Sequence, residues 1–128
     1  MIIAIDFDGT CVEHEFPKVG QDIGAAPVLK ELVQNGHRLI LYTMRSDGAK
    51  GNYLQEALDW FEKNEVDLWA SQINPQQKHW TSSNKCYAEL YIDAAVLGAP
   101  LVSEGPLIPR PYVDWEKVRT MLVDMGLI

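Results

Sequence analysis

The sequence predicts an α/β domain built on a parallel sheet, and three observations carry that prediction. Short, almost wholly apolar runs recur, such as Ile2-Ile3-Ala4-Ile5 and Leu39-Ile40-Leu41, the pattern of strands buried on both faces. Between them, apolar residues return at helical spacing. Three of the apolar runs end in a polar side chain, at Asp6, Thr43 and Asp93. Strands alternating with helices imply a parallel sheet covered on both faces. In open sheets of this kind ligands bind outside the carboxyl ends of the strands, so these three residues are expected to converge on one crevice.

The first strand spans residues 2–5 and runs into the polar turn Asp6-Phe7-Asp8-Gly9-Thr10. Residues 11–25, with Pro17, Gly20 and Gly24, read as a loop or flap. Pro27 suits the first turn of a helix, where its missing N–H has no partner to lose. Val28, Leu29, Leu32 and Val33 form that helix's apolar stripe, and Gly36 suits a left-handed cap. A second strand covers 38–43. After a polar stretch at 46–51, Leu54, Ala57, Leu58 and Phe61 mark a second helix that stops near Asn64. A third strand is expected over 66–70, an irregular polar segment over 71–81, and a short helix capped by Ser82 or Ser83 and running through Cys86. A fourth strand spans 89–92, and residues 100–102 are read as a short fifth. A loop with Pro106, Pro109 and Pro111 leads to Asp114, a good N-cap for a last helix with Val118, Met121, Leu122 and Met125 on its buried stripe.

The chain has 128 residues, enough for one domain spanning 1–128 with a sizeable core. Apolar residues make up 47% and charged residues 23%, ordinary for a globular protein. No stretch approaches the roughly 18 apolar residues of a membrane span. Met1 leads straight into a strand, without a basic region, apolar run and cleavage site, so a cytoplasmic protein is expected. The net charge of −7 disfavours nucleic acid as a partner, because such binding displaces counterions with Lys and Arg, and no Lys/Arg cluster is present. Cys11 and Cys86 are too few for a metal-ligand set and are expected as reduced thiols. His14, His37 and His79 lack zinc-ligand spacing.

Asp6 and Asp8 stand two apart where a buried strand becomes a turn. A carboxylate there can attack phosphorus and form an acyl phosphate, splitting hydrolysis into two displacements. The second carboxyl can protonate the leaving oxygen and then deprotonate water. Gly9 allows close backbone approach to a phosphate, and Thr10 offers a hydroxyl and an N–H. Two acids alone read equally well as a solvated turn after a strand.

The full run Asp6-Phe7-Asp8-Gly9-Thr10 resembles the first motif of the haloacid-dehalogenase superfamily, and further pieces follow in that family's order. Thr43, ending Leu39-Ile40-Leu41-Tyr42-Thr43, is similar to the second motif, whose hydroxyl bonds the phosphoryl oxygens. Lys85 is similar to the third, a cation offsetting charge on the nucleophile and transferred group, with Lys78 as a rival. Asp93, closing Tyr91-Ile92-Asp93, is similar to the fourth, a metal ligand. The chain resembles in particular a small capless group of bacteria and phages, through the run from Asp6 to Arg45, Gly98 and Pro100, and Pro111-Tyr112-Val113-Asp114-Trp115.

The resemblance implies a three-layer Rossmann-like fold with about five parallel strands in the order 5-4-1-2-3. It implies Asp6 as nucleophile and metal ligand, Asp8 as general acid/base and ligand through its backbone carbonyl, and Asp93 as third ligand. Magnesium suits such a set, since it favours few carboxylates, several waters and substrate phosphate. Gly9, Thr10, Thr43, Arg45 and Lys85 are then the expected substrate contacts. An acid at position 8 favours a phosphatase within the superfamily.

One departure is Ala94, where many relatives carry a second acid; Glu89, Asp47 and Glu13 are candidates to replace it. Ala94 motivates the alternative of a weakened member that binds a phosphorylated ligand or a protein partner without turnover. A receiver domain is disfavoured, because no Asp follows the third strand, which leads into Ser71 and Gln72. Neither residues 11–25 nor the stretch from Thr43 to Lys85 has room for a cap domain. An open site implies a phosphorylated substrate large enough to cover it, or an oligomer whose neighbours close it. Trp60, Trp69 and Trp115 are expected in the core, and Trp80 at the entrance.

Overall fold

The computed structural model describes residues 1–103 and 110–128; Pro106 and Pro109 of the expected loop lie outside the described residues. In chain order the elements are β1 (Ile2–Ile5), α1 (Ala25–Gln34), β2 (Arg38–Leu41), β3 (Asp47–Gly48), β4 (Gly51–Asn52), α2 (Tyr53–Lys63), β5 (Ala70–Ser71), β6 (Leu90–Ile92), β7 (Leu101–Val102), β8 (Tyr112–Val113) and α3 (Trp115–Asp124). Four of the strands make one sheet in the order β5-β2-β1-β6, and every pairing in it is parallel. The α/β class with a parallel sheet is therefore what the sequence predicted.

The alternation of strand side chains decides where the core sits. Ile3 and Ile5 stand beside Leu39 and Leu41 of β2 and Leu90 and Ile92 of β6. These side chains pool with Leu29 and Leu32 of α1, Trp60 and Phe61 of α2, and Val118 and Leu122 of α3. All three helices therefore pack on one face. The expected third layer is a loop: Ala4 and Ile40, on the other face, are buried but outside that cluster, and residues 72–89 supply Asn74, Cys86 and Ala88 as buried cover. The short helix expected there does not form. Thr81 Oγ1 accepts the Ser83 N–H and Ser83 Oγ accepts the Lys85 N–H, so side chains take the donors a helix would use. A single 3₁₀ turn, Gln77–His79, lies just upstream.

The fifth strand is also corrected. Leu101 and Val102 pair antiparallel with Val113 and Tyr112 in a separate ribbon rather than joining the sheet. The ribbon is anchored by the Val113 N–H on the Gly9 carbonyl and the Asp114 N–H on the Pro100 carbonyl. Its backbone groups are thus satisfied locally, and β6 is left as the sheet's edge among the described strands.

Helix ends follow the sequence signals. Gly36, at φ 87°, lets the His37 N–H return to Leu32. Asp114 accepts the Lys117 N–H as N-cap of α3. Trp60 and Trp115 are buried as expected, whereas Trp69 is half-buried under the Arg38 guanidinium. Trp80 is exposed and packs edge-on against Tyr87. No helix among the described residues is long and apolar enough to cross a membrane.

Candidate active site at the carboxyl edge of the sheet

The same alternation that sends Ile3 and Ile5 to the helices sends Ala4 and Asp6 to the opposite face. The ladder continues past the strands: the Asp6 N–H bonds the Ile92 carbonyl at 3.1 Å and the Tyr42 N–H bonds the Ile5 carbonyl at 2.8 Å. Asp6 thus lies between Tyr42 and Asp93 at the end of the three central strands. Asp6, Asp93, Tyr42, Glu89 and Lys85 line one cleft of about 530 Å³. A separate apolar hollow of about 170 Å³ lies between β6 and α3; Asp93 is the one acid on its otherwise mostly aliphatic wall.

Asp6 is mostly buried. Desolvation, then the neighbouring Asp93 charge and, more weakly, Asp8, push its carboxyl up to about 6, against hydrogen bonds from the Phe7 N–H and the Thr10 hydroxyl. Thr10 Oγ1 donates to Asp6 Oδ2 at 2.9 Å and accepts the Ala94 N–H at 3.0 Å. That hydroxyl spans the ends of β1 and β6 and fixes both. Thr10 is fully buried, and its N–H bonds the Phe7 carbonyl. Gly9 gives its N–H to Val12 at 2.7 Å. The expectation that Gly9 and Thr10 contact substrate is therefore corrected: the loop closes on itself and takes up those donors. Cys11, a free and buried thiol, donates to the Asp6 carbonyl at 3.3 Å; burial, with Asp6 and Asp8 nearby, holds its pKa well above the ordinary value.

Arg45 is corrected in the same way. Only 2% of it is exposed, and it is not among the residues that line the cleft. Its Nε and Nη2 each donate at 2.8 Å to one oxygen of Asp8. Asp8 therefore presents a carboxylate already held in a two-pronged grip.

Thr43 follows Tyr42, which lines the cleft beside Asp6, and is not itself among the cleft's lining residues. Its Oγ1 accepts the Arg45 N–H at 3.1 Å, which leaves its own O–H free to donate. Gln72, opposite on β5's far end, accepts the Thr43 N–H at 2.8 Å and donates to the Thr43 carbonyl at 2.7 Å. Lys85 is exposed, with its ammonium 5.5 Å from the Tyr91 ring centre. It shares the cleft with Asp6 and Asp93, whereas Lys78 lines a different hollow with Ser82 and Ser83. Lys85 is the lysine the fold brings to the carboxylates.

Of the three acids considered in place of Ala94, only Glu89 reaches this cleft. Its Oε1 accepts the Ile2 N–H at 2.9 Å, however, at the amino end of β1 and so at the opposite end of the strand from Asp6. Asp47 instead accepts the Gln55 N–H at 3.0 Å in α2, and Glu13 lines a hollow beside Asp22 and Glu116.

Gln72 was not singled out as a site residue by sequence, and His14 was read only as a flap residue within reach of substrate. The His14 ring lies over Gly9, whose φ is +77°, so closely that a Cβ there would overlap Nε2. Burial and Arg110 lower the His14 pKa, opposed by Asp8 and Asp93. The only sequence signal for His14 was its place in the flap, five residues past the glycine.

Among the described residues no three His, Cys, Asp or Glu side chains gather to hold a metal by themselves. Two side chains do approach: Asp6 and Asp93 repel enough to raise Asp6. Among the described residues no backbone N–H is directed at the Asp8 carbonyl, which leaves that oxygen available as a third donor. Two carboxylates and one carbonyl fit a hard cation that completes its shell with water and ligand oxygen.

No family model matches the chain, and no curated protein does. A solved structure does: the conserved protein coded by a locus of Bacteroides thetaiotaomicron superposes with a TM-score of 0.76, at 32% identity, over 98% of this chain and 91% of that one.

Proposed function

The chain belongs to one family with that conserved Bacteroides thetaiotaomicron protein, and from its own residues we propose that it is a magnesium-dependent phosphohydrolase of the haloacid-dehalogenase superfamily, cleaving phosphate monoesters through an aspartyl-phosphate. The observation that carries the reading is the shared cleft of Asp6, Asp93 and Lys85 at the carboxyl edge of the parallel sheet. The strand order β5-β2-β1-β6 supports the finer fold reading, since it corresponds to 3-2-1-4 when only the sheet's strands are counted.

Asp6 attacks phosphorus, and the bond to the leaving oxygen breaks as Asp8 protonates that oxygen. Asp8 then takes a proton from water, whose oxygen attacks phosphorus and releases Asp6. Thr43 donates its O–H to a phosphoryl oxygen, and Lys85 offsets the charge that gathers on the transferred group. Asp6, Asp93 and the Asp8 carbonyl are the proposed holders of magnesium, which supplies charge neutralisation between nucleophile and phosphate when bound. Thr10 keeps Asp6 turned toward the cleft.

With the net charge of −7, the proposed substrate is a phosphorylated small molecule or macromolecule other than nucleic acid, met in the cytoplasm. The cleft is open, so the substrate itself or a neighbouring copy covers it. The test is hydrolysis of an aryl phosphate by purified protein with magnesium, abolished by Asp6→Asn. Binding of magnesium without turnover of a broad phosphate-ester panel would favour a binding protein instead.

A further inference from the structure

Arg45 is buried on a chain that gives it no obvious need for a charge in its interior, and burying a guanidinium is costly unless every donor is matched. Here the donors are matched. Beyond the fork on Asp8, Nη1 donates to the Tyr53 carbonyl at 3.1 Å and Nη2 to the Lys18 carbonyl at 2.9 Å, with the Pro17 carbonyl at 3.5 Å. Phe7 and Phe16 each hold a ring 5.1 Å from the guanidinium carbon. One cation therefore joins four separate parts of the chain: the turn carrying Asp8, the flap at 16–18, the start of α2, and the segment after β2 to which it belongs.

We propose that Arg45 is a positioning residue for the reaction: it aims the Asp8 carboxylate and makes that aim depend on the flap being seated. This inference rests on the phosphohydrolase reading above. A carboxyl on a turn has free rotation about two bonds, and proton transfer requires its oxygen within hydrogen-bond reach of the leaving group or water. The fork removes that freedom. Because the same guanidinium holds the Lys18 carbonyl, displacing the flap withdraws a support from the group that moves the proton. Arg45 touches no substrate in this scheme, so its loss should act on turnover and spare binding. Lysine cannot replace it, since an ammonium lacks the planar fork that matches both carboxylate oxygens.

The experiment is a double-mutant cycle of Arg45→Lys and Asp8→Asn in the full-length protein with magnesium and an aryl phosphate. Arg45→Lys is expected to lower kcat on the order of 100-fold, the usual effect of misplacing a reacting group by about 1 Å, with KM changed little. On the Asp8→Asn background the same change should add almost nothing, because its target is gone. As an independent arm, Phe16→Ala, at an exposed flap residue, should lower kcat by a smaller factor in the same direction. Free guanidinium, well below denaturing concentration, should restore part of the activity of Arg45→Ala. Wild-type kcat in a folded Arg45→Lys, or full additivity with Asp8→Asn, overturns the inference and leaves the phosphohydrolase reading standing. If neither Arg45 variant folds, an unchanged kcat in Phe16→Ala overturns it. A wild type without turnover of any phosphate ester overturns both.

Discussion

The side-chain amide of Gln72 pairs with the backbone of Thr43 in both directions, accepting its N–H at 2.8 Å and donating to its carbonyl at 2.7 Å. The same nitrogen reaches the Arg45 carbonyl at 3.2 Å. One side chain thus extends the sheet beyond β2 and β5, where the backbones alone no longer pair, and sets the position of the Thr43 hydroxyl.

Gln72→Ala should therefore weaken both fold and site. Three lost side-chain hydrogen bonds, each worth about 0.5–1.5 kcal/mol, predict a loss of roughly 1.5–4.5 kcal/mol in urea unfolding. Gln72 holds a φ of 69°, so Gln72→Gly, which relieves the backbone strain, should lose less stability than the alanine variant. Equal losses would show that the amide's bonds contribute and the backbone conformation does not.

Asp6 predicts an unusual pH dependence in chelator. Its carboxyl rises from 3.8 to about 6 on folding, with burial as the main cause. The folded state then holds this proton more tightly than the unfolded chain. Its contribution to stability falls as pH climbs through this interval, and the full cost of a charged Asp6 is present above it. Asp6→Asn should be more stable than wild type at pH 8, by up to about 3 kcal/mol for a shift of this size, and no more stable near pH 3. Denaturant unfolding at the two pH values checks this, and a variant less stable than wild type at pH 8 would contradict it.

Gly9→Ala should cost about 1–2 kcal/mol and displace His14. Part of that cost is the positive φ of 77°, and part is the approach of a new Cβ to the imidazole. His14→Ala in the same chain should recover only the second part. Thermal unfolding of the two single variants and the double variant separates the contributions, and full recovery would mean that the backbone at Gly9 is unstrained.

Ala94→Asp should tighten magnesium binding by about 10- to 100-fold, the range typical of a restored partner beside a metal ligand. Ala94 already stands next to Asp93 and gives its N–H to Thr10, so the backbone needs no rearrangement. Isothermal titration with magnesium measures the change; an unaltered affinity would mean that a carboxylate at position 94 does not reach the metal.

What was legible in the sequence were the features that local rules control. Period-two alternation places Asp6 on the side opposite Ile5, and the end of a buried strand places it at the sheet's carboxyl edge. Asp93 follows from the same rule, whereas the residue it sets beside Asp6 on β2 is Tyr42, and Thr43 comes one position later. Arg45 and Thr10 were misread because a side chain four or five residues past a strand can face the crevice or turn beneath it. That choice depends on partners far along the chain, Asp8 and Lys18 for Arg45, and Ala94 for Thr10.

By itself the chain's pattern determined the parallel sheet, the α1 and α3 ends at Gly36 and Asp114, and the meeting of Asp6 and Asp93 at one end of the sheet. These depend on backbone sterics and on apolar spacing, which act over a few residues. Tertiary structure alone decided that three helices share one face, that Leu101 and Val102 leave the sheet for Tyr112 and Val113, and that Lys85 rather than Lys78 lines the cleft with Asp6 and Asp93. Each of those outcomes is a competition among distant partners for the same hydrogen bonds or the same buried surface, and spacing along the chain does not record who wins it.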